Sequence, residues 1–363
     1  MEVKKLELHE RHLQLGAKMT PFAGYEMPLR YSSDIEEHQT VRTFAGIFDV
    51  SHMGEFIVEG PKALDLIQHV TCNDASKIAI GQAQYACLMN QSGGVVDDLL
   101  VYRLQEEKFL LVVNASNIDK DWEWINSHNA VGASLKNISD ETCLFAVQGP
   151  KAADILQKLT NVNLLDIKYY HIVTGKIGNV EDAIISATGY TGSGGFELFV
   201  PREKAAPLWD AILETGKNAG LKPVGLGARD TLRLEMGFCL YGHELNDETT
   251  PLEAGLGWIV KLHKDFLGVN KLREQKEKGL PKKLIGFEMI DKGIPRQVYD
   301  LLNEREERIG AVTSGTQGPS LGVGIGMGYV KPEYAVPGSR LLVRVRNKVL
   351  AARVVKTPFY KSN

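Results

Sequence analysis

One stretch of this chain occurs twice, and the repetition constrains the fold more than any other feature. Gly60-Pro61-Lys62-Ala63-Leu64-Asp65-Leu66-Ile67-Gln68-His69-Val70-Thr71 returns as Gly149-Pro150-Lys151-Ala152-Ala153-Asp154-Ile155-Leu156-Gln157-Lys158-Leu159-Thr160. Each copy follows a strand-like run, Phe56-Ile57-Val58-Glu59 or Leu144-Phe145-Ala146-Val147. Each then opens a helix with proline in the first turn, where the missing N–H is no loss. A Gly-Pro helix start alone is common, but the shared Lys, Ala, Asp, Gln and Thr argue for an internal duplication and two related α+β halves.

The remaining periodicity fits that plan. Helices are expected over 33–44 behind a serine cap, over 117–127 with Ile118, Trp122 and Ile125 on one stripe, and over 204–217 with Leu208, Trp209, Ile212 and Leu213. Short strands are expected at 108–113, 184–187 and 196–200, and the charged opening from Met1 to Glu7 reads as the start of a helix. After the charged, Gly- and Pro-broken segment 274–283 the character changes to strands at 284–290, 309–313, 339–345 and 349–355, the last two joined by a hairpin through Asn347-Lys348. A small β-barrel is expected there. Gly322-Val323-Gly324-Ile325-Gly326-Met327-Gly328 imitates a dinucleotide fingerprint, but no helix follows to hold a pyrophosphate, so it reads as a glycine-kinked barrel strand.

Composition excludes several classes. With 363 residues, 44% of them hydrophobic, the chain can build two or three packed units. A net charge of −3 with interspersed signs suggests no nucleic-acid partner. Cys72, Cys87, Cys143 and Cys239 form no CxxC pair, have no closely spaced histidine, and so read as reduced thiols with no metal site. No apolar signal region opens the sequence and no run of about twenty apolar residues occurs, so a cytoplasmic location without a membrane span is expected. Patterns for metal, serine and nucleotide hydrolysis are absent from the sequence.

Two glycine-rich turns each deliver a carboxylate into a strand. In Gly93-Gly94-Val95-Val96-Asp97-Asp98-Leu99 the adjacent carboxylates must face opposite sides of a strand, so one is structural and the other is free to meet a ligand, unless the segment is simply an acidic turn facing water. In Gly189-Tyr190-Thr191-Gly192-Ser193-Gly194-Gly195-Phe196-Glu197-Leu198, Glu197 sits between apolar neighbours and needs a dedicated partner: an arginine within the fold or the N–H edge of a flat heterocycle. Arg229 and Arg233 share a face of the helix opened by Gly225-Leu226-Gly227-Ala228, serving either an acidic or carbonyl-bearing ligand or ion pairs with Asp230 or Glu235. His52, in Phe48-Asp49-Val50-Ser51-His52-Met53-Gly54-Glu55, is a core histidine with hydrogen bonds or a group titrating near neutral pH.

Taken in order, Phe48 to Glu55, Gly93 to Leu99, Val112-Val113-Asn114-Ala115, Gly189 to Leu198 and Gly225 to Asp230 resemble the aminomethyltransferases, the T-proteins of the glycine cleavage system, over essentially the whole chain. The resemblance implies an α+β fold of three domains around a central opening: two interleaved ferredoxin-like units, 1–53 with 138–275 and 54–137, and a C-terminal β-barrel over 284–363. It implies transfer of a one-carbon unit from the aminomethyl-loaded dihydrolipoyl arm of H-protein to tetrahydrofolate, giving 5,10-methylenetetrahydrofolate and ammonia. By motif match it makes Asp98 the catalytic carboxylate, Glu197 the pterin-binding glutamate and Arg229 the folate-binding arginine, with Tyr85, Asn114 and Tyr190 lining the same pocket. Pro358-Phe359-Tyr360 is similar to the family's closing motif.

Two related scaffolds make different demands on a sequence. Sarcosine and dimethylglycine dehydrogenases carry an additional FAD domain that this sequence lacks. Folate-binding proteins linked to RNA modification and iron–sulfur assembly carry a Lys-Gly-Cys-Tyr type motif, where this chain has Met236-Gly237-Phe238-Cys239-Leu240-Tyr241.

Overall fold

The computed structural model describes residues 3–361. The chain divides into two compact units. The first takes the described residues through Ile67, with Ala75–Tyr85 and Leu99–Asp230; the second takes Gln68–Asp74, Ala86–Asp98 and the described residues from Thr231 onward.

Within the first unit a six-stranded sheet runs in the order Ile172–Ile177, Val180–Ser186, Gly195–Pro201, Thr142–Gln148, Ala45–Asp49, Leu221–Pro223. The helix Arg202–Gly216 covers it with Leu208, Trp209 and Ile212, all fully buried. Trp209 meets Phe145 edge-on at 5.3 Å between ring centroids, the geometry in which aromatic quadrupoles attract. A five-stranded sheet is ordered Gln82–Met89, Val95–Gln105, Lys108–Val113, Gly54–Glu59, Ser134–Asn137, and its first two strands run on into the second unit. The helix Ile118–Ser127 lies on it as its apolar stripe requires: Trp122 packs on Phe56 at 5.2 Å, Ile125 is buried, and Gly54 leaves room for Ile118.

Both copies of the duplicated segment form strand, turn and helix, Gly54–Glu59 then Ala63–Val70, and Thr142–Gln148 then Ala152–Leu156. The second helix tightens into a 3-10 turn at Gln157–Leu159. The serine cap is real, since the Ser33 hydroxyl accepts from the Glu36 N–H at 3.2 Å.

The helical reading of the opening residues does not hold. Lys4–Lys5 pairs in parallel with Tyr25 and Glu26, and helix begins only at His9. A pairing partner twenty residues away overrides the local charge pattern, and Leu6 and Leu8 are buried beyond it.

In the second unit six strands close a barrel in the order Lys283–Met289, Gly324–Val330, Arg308–Gln317, Asp300–Leu302, Arg340–Val345, Lys348–Val355. The dinucleotide look-alike is one of these strands. A side chain at Gly326 would meet the Phe287 ring at 2.5 Å, which is why the strand carries glycine where it crosses that ring. The hairpin between the last two strands pairs Val345 with Lys348, so its turn is Arg346-Asn347, one residue earlier than the sequence suggests, with Arg346 at φ +55°.

Candidate active site

Glu197 lies on the strand Gly195–Pro201, opposite Ser186 on one neighbour and Ala146 on the other. Gly195 lets that strand begin where it does: its φ is +119°, and a Cβ there would stand 2.2 Å from the Val147 carbonyl oxygen. The Glu197 carboxyl is buried and accepts from the Thr188 hydroxyl through a short hydrogen bond. Thr188 is in turn bonded to Ser186 at 2.7 Å and to the Tyr102 hydroxyl at 3.3 Å. Burial raises the Glu197 carboxyl above the usual range, with the Thr188 hydroxyl and the charge of Arg229 pulling the other way.

Arg229 stands in the helix Leu226–Glu235, its guanidinium 4.8 Å from the centre of the Tyr190 ring. Burial lowers its basicity against the opposing influence of Tyr190 and Glu197. Glu197 and Arg229 act on each other through their charges. The structure therefore brings Tyr190, Glu197 and Arg229 together and adds Thr188, Ser186 and Tyr102, which carry no signal in the sequence.

Arg233 is different. Its side chain is 1% exposed, paired with Glu244 at 3.1 Å, and donates to the Phe238 carbonyl and the Ser314 hydroxyl. It is buried among partners of the second unit.

Tyr85 stands half-buried on the strand Gln82–Met89, and Asn114, also half-buried, precedes the 3-10 turn Ala115–Asn117. In the strand Val95–Gln105 the two aspartates divide as alternation requires: Asp97 is fully buried and Asp98 half-open. Within the second unit the charge of Asp98 is felt at Cys87 and Cys239.

The Phe48–Glu55 motif divides between scaffold and site. Asp49 accepts from His12 at 2.9 Å and from the Ser51 hydroxyl, fixing the turn. His52 packs between Phe22 and Tyr25, and burial, aided by Arg229, pushes its pKa down to about 3. It is a neutral imidazole over the working pH range and does not titrate near neutrality, and its Nδ1 has no hydrogen-bond partner. Glu55 is 1% exposed with neither carboxyl oxygen bonded, and burial pushes its pKa well up. At the other end of the chain the Phe359 and Tyr360 N–H groups both donate to the Glu235 carbonyl at 2.9 Å. Among the described residues no group of three or more His, Cys, Asp or Glu could hold a metal ion, and no helix is long and apolar enough to cross a membrane.

Known proteins resemble this chain over its whole length. Residues 8–264 match the family described as the GCVT N-terminal domain, and residues 282–361 match the glycine cleavage T-protein C-terminal barrel domain. An aminomethyltransferase of Phocaeicola vulgatus is 56% identical over 99% of this chain and 100% of its own length. One from Flavobacterium psychrophilum is 52% identical, again over 99% of this chain and 100% of its own. The crystal structure of glycine cleavage system aminomethyltransferase T from Bartonella henselae superposes with a TM-score of 0.92 at 35% identity, covering 99% of this chain and 98% of that one. With both family models matched in order and relatives aligned end to end, the chain belongs to the glycine cleavage T-protein family.

Proposed function

We propose that this chain is the aminomethyltransferase of a glycine cleavage system, moving the one-carbon unit of an S-aminomethyldihydrolipoyl arm on H-protein to tetrahydrofolate with release of ammonia. The observation that carries the reading is end-to-end similarity to aminomethyltransferases at 56% identity. The alternative, a folate-binding protein of RNA modification or iron–sulfur assembly, is not favoured by those relatives.

The residues of the first unit fit a reduced pterin. A buried carboxyl with a hydroxyl on one oxygen offers the other to the N–H edge of a flat ring, the donor set such a ring presents. Arg229, resting on Tyr190 with no carboxylate closed onto it, keeps a planar fork for a carbonyl or an anionic group. We assign Tyr85 and Asn114 to the walls of the same folate pocket by their motif match. When bound, tetrahydrofolate supplies the nucleophilic nitrogen that accepts the one-carbon unit.

Asp98 is assigned the proton handling as the C–N and C–S bonds exchange. Positioned acid–base help of this kind contributes roughly 10²–10⁴-fold. Holding the reacting groups in near-attack geometry contributes about 7–11 kcal/mol more.

The direct test supplies aminomethyl-loaded H-protein and tetrahydrofolate and follows ammonia and 5,10-methylenetetrahydrofolate. Both products are expected in equal amounts. Folate binding with neither product formed would replace the enzyme reading with the binding-protein one.

A further inference from the structure

All four cysteines are free and buried, and Cys72, Cys87 and Cys239 belong to the second unit. Two of these three face each other. Thr71 bridges Leu88 in the antiparallel sense, and the Cys72 N–H donates to the Cys87 carbonyl at 3.1 Å. Cys72 and Cys87 are therefore directly opposite each other across the two segments, where Cα atoms lie about 4.5–5.5 Å apart with side chains on one face. That separation falls inside the roughly 4.4–6.8 Å that a disulfide accepts. Each thiol shifts the ionisation of the other, as facing side chains at that separation do.

The surroundings favour attack by one of them. The Lys264 ammonium donates to the Gln68 and Thr71 carbonyls, and its charge acts on Cys72. Burial pushes the Cys72 thiol up, but the Cys87 thiol and Lys264 outweigh it and lower the pKa, while Cys87 is pushed well up. A thiol whose ionisation is eased, facing one whose ionisation is opposed, is the starting pair for disulfide formation. Cys87 stands on the strand Gln82–Met89, whose hydrogen-bonded neighbour Val95–Gln105 carries Asp98, so a change at the pair lies one strand from the proposed catalytic carboxylate.

We propose that Cys72 and Cys87 are an oxidisable dithiol, closed to an intramolecular disulfide by hydrogen peroxide and reopened by a dithiol reductant, and that closure lowers the turnover served by Asp98. The Cys72 thiolate attacks one peroxide oxygen, the O–O bond breaks, and hydroxide leaves. The sulfur of Cys87 then attacks the resulting Cys72 sulfenic acid, the S–S bond forms, and water leaves. Across both steps the pair loses two electrons and two protons, and the peroxide becomes two waters. Both residues are fully buried, so peroxide reaches them through local opening, and the reaction quickens in sub-denaturing urea. The chemistry stands independently of the enzyme reading; only its effect on turnover rests on it.

The test treats the reduced full-length chain with excess hydrogen peroxide, blocks residual thiols with N-ethylmaleimide and maps peptides without reduction. One cross-linked pair containing Cys72 and Cys87 is expected, with the intact mass falling by two hydrogens and dithiothreitol restoring it. Cys239, buried in the same unit and acting electrostatically on Cys87, is the competing thiol that the map must exclude. Sulfinic acid on single cysteines, a cross-link to Cys239, a link between two chains, or no reaction even in sub-denaturing urea would each overturn the site. Turnover is expected to fall in step with the cross-link and to recover with it, and Cys72→Ser is expected to keep basal turnover and lose the reversible response. A complete cross-link at undiminished turnover would overturn the coupling to Asp98. Should Cys72→Ser fail to fold, the map of the unaltered chain decides the site alone.

Discussion

Glu197→Gln should weaken folate binding more than it slows turnover, and the geometry sets the size of the effect. The glutamate accepts from Thr188, whose hydroxyl is bonded on its other side to Ser186 and Tyr102. One carboxyl oxygen is thereby committed to the fold and the other left for a ligand. Glutamine of the same shape can satisfy Thr188 with its carbonyl, but it then turns an N–H group toward the donor edge of the pterin. The loss is one hydrogen bond to a charged group, about 1.5–3 kcal/mol. At 1.4 kcal/mol per decade that is a Kd raised by about 10- to 150-fold. Titration of the folded variant with a reduced folate, followed by calorimetry, measures it. The pH dependence gives a second check. The Glu197 pKa is raised, so folate affinity is present where the carboxylate is ionised and falls as pH drops through that raised value. Thr188→Val removes the donor that holds the pKa down, and the fall should move to higher pH. A Glu197→Gln protein that is folded and binds folate within twofold of the unaltered chain would refute the assignment.

Other perturbations test separate parts of the argument. Asp98→Asn should cut turnover by roughly 10²–10⁴-fold with folate affinity mostly kept, measured as ammonia release against calorimetric Kd; equal loss of both would make Asp98 a structural anchor. Glu55→Leu should stabilise the protein above the raised pKa of that carboxyl, by about 1–3 kcal/mol, because two buried oxygens without partners are removed. The sign follows from linkage: with its folded pKa raised, Glu55 adds stability that is full below the unfolded carboxylate value and lost as pH rises through the folded one, so the advantage of the variant should grow with pH in urea titrations. Arg233→Ala should destabilise by about 3–5 kcal/mol, because Glu244 is left charged and buried, and an unchanged urea midpoint would show that the pair is dispensable.

What the sequence makes legible here is whatever depends on neighbours along the chain. The duplicated segments, the Ser33 cap, the stripe of Ile118, Trp122 and Ile125, and the glycine strand through Gly326 each follow from residues a few positions apart, and each stands in the structure. The alternation that separates Asp97 from Asp98 is of the same local kind. What escapes is decided by contacts between distant strands. Thr188 and Tyr102 meet across 86 positions beside the Glu197 carboxyl, which accepts from Thr188, and no periodicity marks either. His52 has an ordinary sequence context, yet burial against Phe22 and Tyr25 with Arg229 nearby removes it from the titrating groups. Arg229 and Arg233 are equivalent by spacing and differ in surroundings, because Glu244 closes onto Arg233 while Arg229 rests over the Tyr190 ring. A charged side chain in this fold is thus assigned by its desolvation and its partner together. The carboxyls argued to meet ligand are those with one face satisfied and one left over, a criterion that selects Glu197 and rejects Glu55, which has neither face satisfied.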